Sequence, residues 1–376
     1  MENLENLEQQ KREKALKVKI ENTLWVLCKN FKDEIFDTLL KSPGIASYVI
    51  DISGDIAAIA SIADIEKNIQ IIIENRAQLE ALKQMPQVKQ RSPEWFALRR
   101  DRLTASDTGQ AMNRGHYGNR AKLVENKAFP ESVVFNNSCP PLKHGTMYEA
   151  MTSRSYSQRN NNMQIHEFGL IPHPTLSCYG ASPDGITEMG VLIEIKTPWR
   201  RKVNGDILDQ YELQMQGQMA VTGINECDFI DCEIEDMKYE DNYLKNIATN
   251  LKIDHGVLVE NLESGEYIYS QEYLSPIEAV QWKNSEIRKH ETYKVYYWKV
   301  RKIYIERLYF DKNRWENELV PAIQSFWNDV IKMKERGRTA AAAGCGGAPG
   351  KTLDLVDSGD NKKQKVLQFI DSDEEV

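Results

Sequence analysis

Residues 180–198 read GASPDGITEMGVLIEIKTP, from Gly180 to Pro198. Two strand-forming runs flank the short turn Glu188-Met189-Gly190, which predicts a hairpin. Antiparallel pairing about that turn sets Thr187 against Val191, and therefore Asp184 against Glu194. Period-two alternation places Leu192, Glu194 and Lys196 on one face and Val191, Ile193 and Ile195 on the other. One face is chemical and the other is core. Directly opposed side chains lie roughly 4.5–5.5 Å apart at Cβ, where like charges repel. The two acids need a compensating charge, either Lys196 or a divalent cation; a hard cation such as Mg²⁺ takes a few carboxylate oxygens and keeps several waters, which suits hydrolysis. On its own, Glu194-Ile195-Lys196 is the pattern of any solvated strand that carries a salt bridge. Ser182-Pro183-Asp184-Gly185, about ten residues upstream, turns it into a candidate site.

The rest of the chain bounds the reading. With 376 residues and 41% hydrophobic composition it can bury the core of one enzyme-sized domain and carry appendages. A formal net charge of -8 argues against non-specific coating of nucleic acid, although a local basic groove is compatible with an acidic total. The six cysteines (Cys28, Cys139, Cys178, Cys227, Cys232, Cys345) form no C-x-x-C pair, so free thiols and an intracellular, reducing compartment are expected. The chain opens with charged residues, and its most apolar stretch, Tyr48 to Ile73, is interrupted by Asp51, Asp55, Asp64, Glu66 and Lys67. Neither a secretion signal nor a membrane span is expected.

Helical periodicity runs through Leu16, Ile20, Leu24, Leu27 and Phe31 and again through Ile56, Ile59, Ile62, Ile65 and Ile69, with a break at Ser42-Pro43-Gly44. Residues 1–87 are read as a helical domain. From residue 88 the pattern is mixed α/β: helices at 93–100, 145–159 and 206–222, strands at 164–171, 176–180, 184–187, 191–197 and 228–233, and a last helix at 315–334. Residues 235–290 resist assignment, and the Tyr-, Trp- and Lys-rich stretch Glu278 to Ile305 is read as helical. Residues 336–376 are Ala/Gly-rich and then charged, and are expected to be a disordered tail. Its end, VLQFIDSDEEV, is a solubilising acidic terminus or a short docking motif.

An Asp followed about ten residues later by Glu-x-Lys in a hairpin resembles the PD-(D/E)xK nuclease signature, here Pro183-Asp184 and Glu194-Ile195-Lys196. More closely, the chain resembles the phage lambda exonuclease or YqaJ-like viral recombinase family. WFALRRDRLTAS (Trp95 to Ser106), HGTMYE (His144 to Glu149), LQMQGQMAVTG (Leu213 to Gly223) and YIERLYFDKNRWENELVPAIQSFW (Tyr304 to Trp327) are similar to further family segments, in the expected order. The resemblance covers residues 91–333, interrupted by an insertion at about 235–290. It implies a restriction-endonuclease-like core, a mixed central sheet flanked by helices, within the nuclease domain 88–335.

The resemblance further implies that Asp184, Glu194 and the backbone carbonyl of Ile195 ligate one or two Mg²⁺ or Mn²⁺ ions, with Glu149 completing the site. Lys196 would position or deprotonate the attacking water. Arg99, Ser106 and Ser182 match positions that hold a terminal 5′-phosphate, and Gln214 the glutamine near the phosphate; Gln216 competes for that last role. Local sequence alone reads Glu149 as a solvated first-turn acid and Ser106 as an N-cap. Residues 89–130 carry nine Lys or Arg against four acids, a candidate phosphate-binding surface. Tyr293, Tyr296, Tyr297 and Trp298 are read as core before base-stacking groups.

The implied activity is metal-dependent 5′-to-3′ exonuclease action on linear double-stranded DNA, releasing mononucleotides, during replication, recombination or repair of a viral genome in the host cytoplasm or nucleus. Implied partners are duplex DNA ends, a single-strand annealing protein and further copies of the chain in a ring trimer. Two alternatives stay open: a structure-specific PD-(D/E)xK endonuclease, and a DNA-binding scaffold that keeps the fold without catalysis.

Overall fold

The computed structural model describes residues 2–53, 56, 60–116, 118–130, 139–247 and 254–344. Four helices come first: α1 (Glu2–Cys28), α2 (Asp33–Leu40), α3 (Ile45–Ile52) and α4 (Ile62–Lys83). Ser61 starts α4 with a capping box, its hydroxyl accepting from the Asp64 N–H while the Asp64 carboxylate accepts from the Ser61 N–H, which satisfies two otherwise orphaned donors. Ile20 and Leu24 of α1 pack with Ile65, Ile69 and Ile72 of α4 in one buried cluster, as the periodicity requires. Phe31 is half exposed beyond the end of α1, and Ile59 lies outside the described residues.

Then follow α5 (Pro93–Arg100), β1 (Leu103–Thr104), α6 (Thr108–Ala111), α7 (Arg120–Ala128), α8 (Pro140–Arg159), β2 (Ile165–His166), β3 (Ile171–Pro172), β4 (Tyr179–Ala181), β5 (Gly185–Thr187), β6 (Leu192–Lys196), α9 (Asp209–Thr222) and β7 (Glu226–Met237). The chain continues as α10 (Glu240–Ile247), β8 (His255–Asn261), β9 (Tyr267–Tyr269), α11 (Pro276–Glu286), β10 (Tyr293–Tyr309), α12 (Lys312–Arg314) and α13 (Val320–Gly344). Seven strands form a mixed sheet in the order β2-β5-β6-β7-β10-β8-β9, and β1, β4 and β3 form a second, small sheet. Only β6 and β7 are parallel in the large sheet, and α9 connects them as such a crossover requires. On one face α9 packs Leu213 and Met215 with Leu192 and Phe229. On the other, Tyr156 of α8 packs with Ile193, Ile195 and Ile230. The expected core, a mixed sheet flanked by helices, is the fold.

The expected helix over 278–305 is corrected. Helix there stops with Pro276–Glu286 and a 3-10 turn at Ile287–Lys289, and Tyr293–Tyr309 is a long strand that pairs with β8 through its first half and β7 through its second. A register shift between Val300 and Lys302 breaks the period-two pattern, and Tyr296, Tyr297 and Trp298 are buried on both faces. Where both faces are buried the alternation that marks a strand is lost; Tyr293, also read as core, is 41% exposed. Residues 235–290 therefore extend the sheet by β8 and β9. The last helix runs on through the alanines to Gly344, past the expected start of the tail at 336; the remainder of that tail, with Cys345 and the VLQFIDSDEEV end, lies outside the described residues. The five cysteines within them are free. Among the described residues no helix is long and apolar enough to cross a membrane.

Candidate active site

The hairpin forms with the register its turn length dictates. Gly185 pairs with Ile193 and Ile186 with Leu192, and the Thr187 N–H donates to the Val191 carbonyl at 2.8 Å. Gly190 closes the turn with φ +74°, and a Cβ there would stand 2.6 Å from Asn75 of α4; no residue with a side chain fits without displacing that helix. The turn is also held from outside. Arg76 of α4 donates to the Glu188 carbonyl at 2.6 Å and pairs with its carboxylate, which also meets His166.

Asp184, just before β5, reaches across to the Ile195 N–H, accepting at 2.6 Å. Glu194 is fully buried and accepts from Lys196 Nζ at 2.6 Å, Gln214 Nε2 at 2.8 Å and Gln218 Nε2 at 2.5 Å. Lys196 Nζ also lies 3.4 Å from Gln214 Oε1 and 4.8 Å from the centre of the Tyr211 ring. The predicted chemical face thus exists, but it is covered by α9 rather than open. Glu149 sits well inside α8, because that helix begins at Pro140 and not at Gly145; the first-turn reading is corrected. Its carboxylate takes Arg91 Nη2 at 2.7 Å. Asp184 is left as the strained acid: burial first, then Glu194 and Glu149, push its pKa well above the usual carboxylate range, against Lys196 and the Ile195 N–H.

Beside these acids is a cleft of about 50 Å³ whose lining includes Arg99, Ser106, Ser182, Asp184, Gln214 and Glu149. Six of the residues singled out in the sequence therefore meet at one place. The Arg99 guanidinium stacks over the Trp95 ring at 4.4 Å and donates to Ser106 Oγ at 3.3 Å. Trp95 Nε1 donates to Ser182 Oγ at 2.9 Å. Ser106 lies in the tight turn Ala105–Asp107, with its hydroxyl toward Arg99 and Thr104 rather than capping a helix. Burial raises the pKa of neighbouring Asp107, yet Lys127 and Arg99 outweigh that and hold it below the usual range. A planar cation flanked by hydroxyls is a chemistry suited to phosphate.

Gln216 turns away, donating to the Tyr309 carbonyl and accepting from the Asp311 N–H; Gln214 is the glutamine at the site. Gln218, Thr104, Gln90 and Arg91 also line the cleft. Gln218 shares the helical face of Gln214 one turn on, Arg91 belongs to the basic stretch 89–130 and Thr104 to the segment Trp95 to Ser106, whereas Gln90 carried no signal. Much of the basic excess over 89–130 goes into structural pairs: Arg114 with Glu318, Arg120 with Asp329, Lys122 with Glu125 and Lys127 with Asp107. A second cavity, of about 390 Å³, lies on the other side of Glu149 and Asp184, between the 87–91 segment and Tyr267 and Tyr269 of β9.

The donor set of three carboxylates and a main-chain carbonyl has the chemistry of a hard divalent cation site, and the negative surroundings that raise Asp184 favour such an ion. As the side chains stand, no group of three or more His, Cys, Asp or Glu among the described residues is gathered to hold a metal. Glu194 is turned to Lys196 and α9, and Glu149 to Arg91. The residue types fit the ion, provided that Glu149 and Glu194 both exchange partners.

A mixed sheet with a helix on each face carries Asp184, Glu194 and Lys196 on one hairpin, the core expected from the sequence. Residues 94–225 match the family model of the YqaJ-like viral recombinase domain. An uncharacterized protein of Acanthamoeba polyphaga mimivirus is 28% identical over 308 residues, which are 69% of this chain and 55% of that protein; the chain spans little more than half the length of this curated relative. Among solved structures, an alkaline exonuclease (LHK-Exo) from Laribacter hongkongensis is 21% identical with a TM-score of 0.44, the match covering 67% of this chain and 99% of the other. LHK-Exo in complex with dAMP matches over the same shares with a TM-score of 0.43.

Proposed function

We propose that the chain is a metal-dependent 5′-to-3′ exodeoxyribonuclease that hydrolyses linear duplex DNA to mononucleotides. The observation that carries this reading is the shared cleft, in which the Arg99–Ser106–Ser182 pocket opens directly onto Asp184. An end phosphate in the pocket brings the following phosphodiester to the acids, and this supports a reading in which cleavage falls one nucleotide from a 5′ end. Asp184, Glu194, Glu149 and the Ile195 carbonyl are the groups that would hold one or two Mg²⁺ or Mn²⁺ ions, and such an ion supplies charge for the phosphoryl oxygens and acidity to water. Lys196, held by Glu194 and Gln214, is the group that would orient water or accept its proton. Arg99 binds the end phosphate with Ser106 and Ser182, and Gln214 fixes Glu194 and Lys196 together. The recombinase-domain match supports a role in recombination of viral DNA; the reading extends to replication or repair of that DNA, with DNA ends, a single-strand annealing protein and a ring trimer of this chain as partners.

The test is incubation with Mg²⁺ and linear duplexes carrying 5′-phosphate or 5′-hydroxyl ends, beside closed circles. Degradation of linear DNA with a preference for the 5′-phosphate is expected. Cutting of closed circles makes the protein an endonuclease, and binding without degradation makes it a scaffold.

A further inference from the structure

Arg91 has a backbone φ of +64°, a region that a residue with a Cβ occupies at a cost and that glycine or asparagine occupies more readily. The segment leading to it is tightly laid down. Gln90 Nε2 donates to the carbonyls of Phe168 at 2.8 Å and Pro183 at 3.2 Å, and Gln87 Oε1 accepts from the Gly169 N–H at 3.2 Å. A Cβ at Gly169 would stand 1.9 Å from the Val88 carbonyl oxygen. The strained residue therefore ends a strap whose course is fixed by neighbours on both sides of Asp184. Its side chain lines both the phosphate cleft and the larger cavity and pairs with Glu149, the two being 50% and 30% exposed. A half-exposed pair of this kind contributes little to folding, and strained backbone of this kind gathers at functional sites, where it has a role.

The charges supply one. A strand whose end phosphate sits at Arg99 presents its next phosphodiester to Asp184 and Glu149, which repel it. Arg91 is the cation at that point of the cleft, and a guanidinium binds phosphate bidentately. We propose that Arg91 is a substrate-binding residue whose guanidinium leaves Glu149 for the phosphodiester beside Asp184 when a DNA strand enters, freeing Glu149 in the same movement. This rests on the reading of the cleft as a DNA site.

The experiment measures binding of a labelled 5′-phosphorylated duplex to the full chain by fluorescence anisotropy in EDTA, over a range of salt. Arg91→Gly and Arg91→Asn both tolerate positive φ and remove the cation. Both are expected to weaken binding on the order of ten-fold and to lower the salt slope by about one ion, with the melting temperature held within about 2 °C. Unchanged affinity and slope overturn the proposal, and so does a large loss of melting temperature in both variants, which makes Arg91 a structural group. Wild-type protein that binds through Arg91 but releases no nucleotide with Mg²⁺ sinks the nuclease reading and leaves Arg91 in place. Wild-type protein that cleaves while Arg91→Gly binds as tightly does the reverse, and wild-type protein that binds no duplex removes both.

Discussion

Asp184 is the residue most at odds with its surroundings, since burial and two neighbouring acids oppose its ionisation. Removing its charge relieves that conflict, so Asp184→Asn should match or exceed the wild-type melting temperature while turnover falls by roughly 10²–10⁴-fold, the range of an acid–base or charge-positioning group. A thermal melt beside a nuclease assay checks both halves; normal turnover removes Asp184 from the site. Lys196 behaves differently. Lys196→Met removes the cation paired with buried Glu194, a loss of about 3–5 kcal/mol, and adding Glu194→Gln should restore the melting temperature but not the activity. Arg99→Ala should erase the preference for a 5′-phosphate over a 5′-hydroxyl, because its guanidinium faces Ser106 in the pocket; an unchanged preference contradicts that role. The sequence disclosed Asp184, Glu194 and Lys196 because they lie on one hairpin, where local spacing determines who meets whom. It showed Arg91 only as one of nine basic residues over 89–130, because its partner Glu149 is brought to it only by tertiary packing.

The hairpin's turn is the element that joins the site to the N-terminal helices. Glu188 is buried, which by itself raises its pKa, but His166, Arg76 and Lys83 lower it more, from 4.5 to about 2. Because the folded value lies below the unfolded one, the stabilisation is fully present above about pH 4.5 and disappears as pH falls toward 2. A depression of that size is worth on the order of 3 kcal/mol. Glu188→Gln should therefore unfold at lower urea than wild type at pH 7, with the difference shrinking steadily as pH falls from about 4.5 to about 2. A difference independent of pH in that window would falsify the assignment of the stabilisation to the Glu188 charge. The register of this hairpin was legible from the length of its turn. β10 was not, since its buried faces and its shift at Val300 to Lys302 remove the alternation by which a half-exposed strand is recognised.

At the scale of the whole molecule, the N-terminal helices are tied to the sheet by buried charge. Arg307 of β10 donates to Asp228 of β7 at 2.7 Å and to Glu21 of α1 at 2.6 Å, Tyr156 of α8 donates to Asp228 at 2.6 Å, and Lys17 pairs with Glu226. Burial alone would lower the pKa of Arg307, but its acids raise it further. Arg307→Met leaves those acids uncompensated and should cost about 3–5 kcal/mol, measurable as a single shifted unfolding transition shared by helices and sheet. Two separate transitions would show the helices to be an independent unit. The sequence could mark these helices as amphipathic but not say where they dock, because every contact of this network joins residues far apart along the chain. The central claim is that the cleft takes a 5′ end and cuts the next bond. It is tested most directly by a linear duplex labelled at the 5′-phosphate on one sample and at the 3′ end on another, with products resolved over time in Mg²⁺. The account predicts that the 5′ label leaves first, as mononucleotide, while the 3′ label stays on long strands; early release of the 3′ label, or of labelled oligonucleotides, contradicts it.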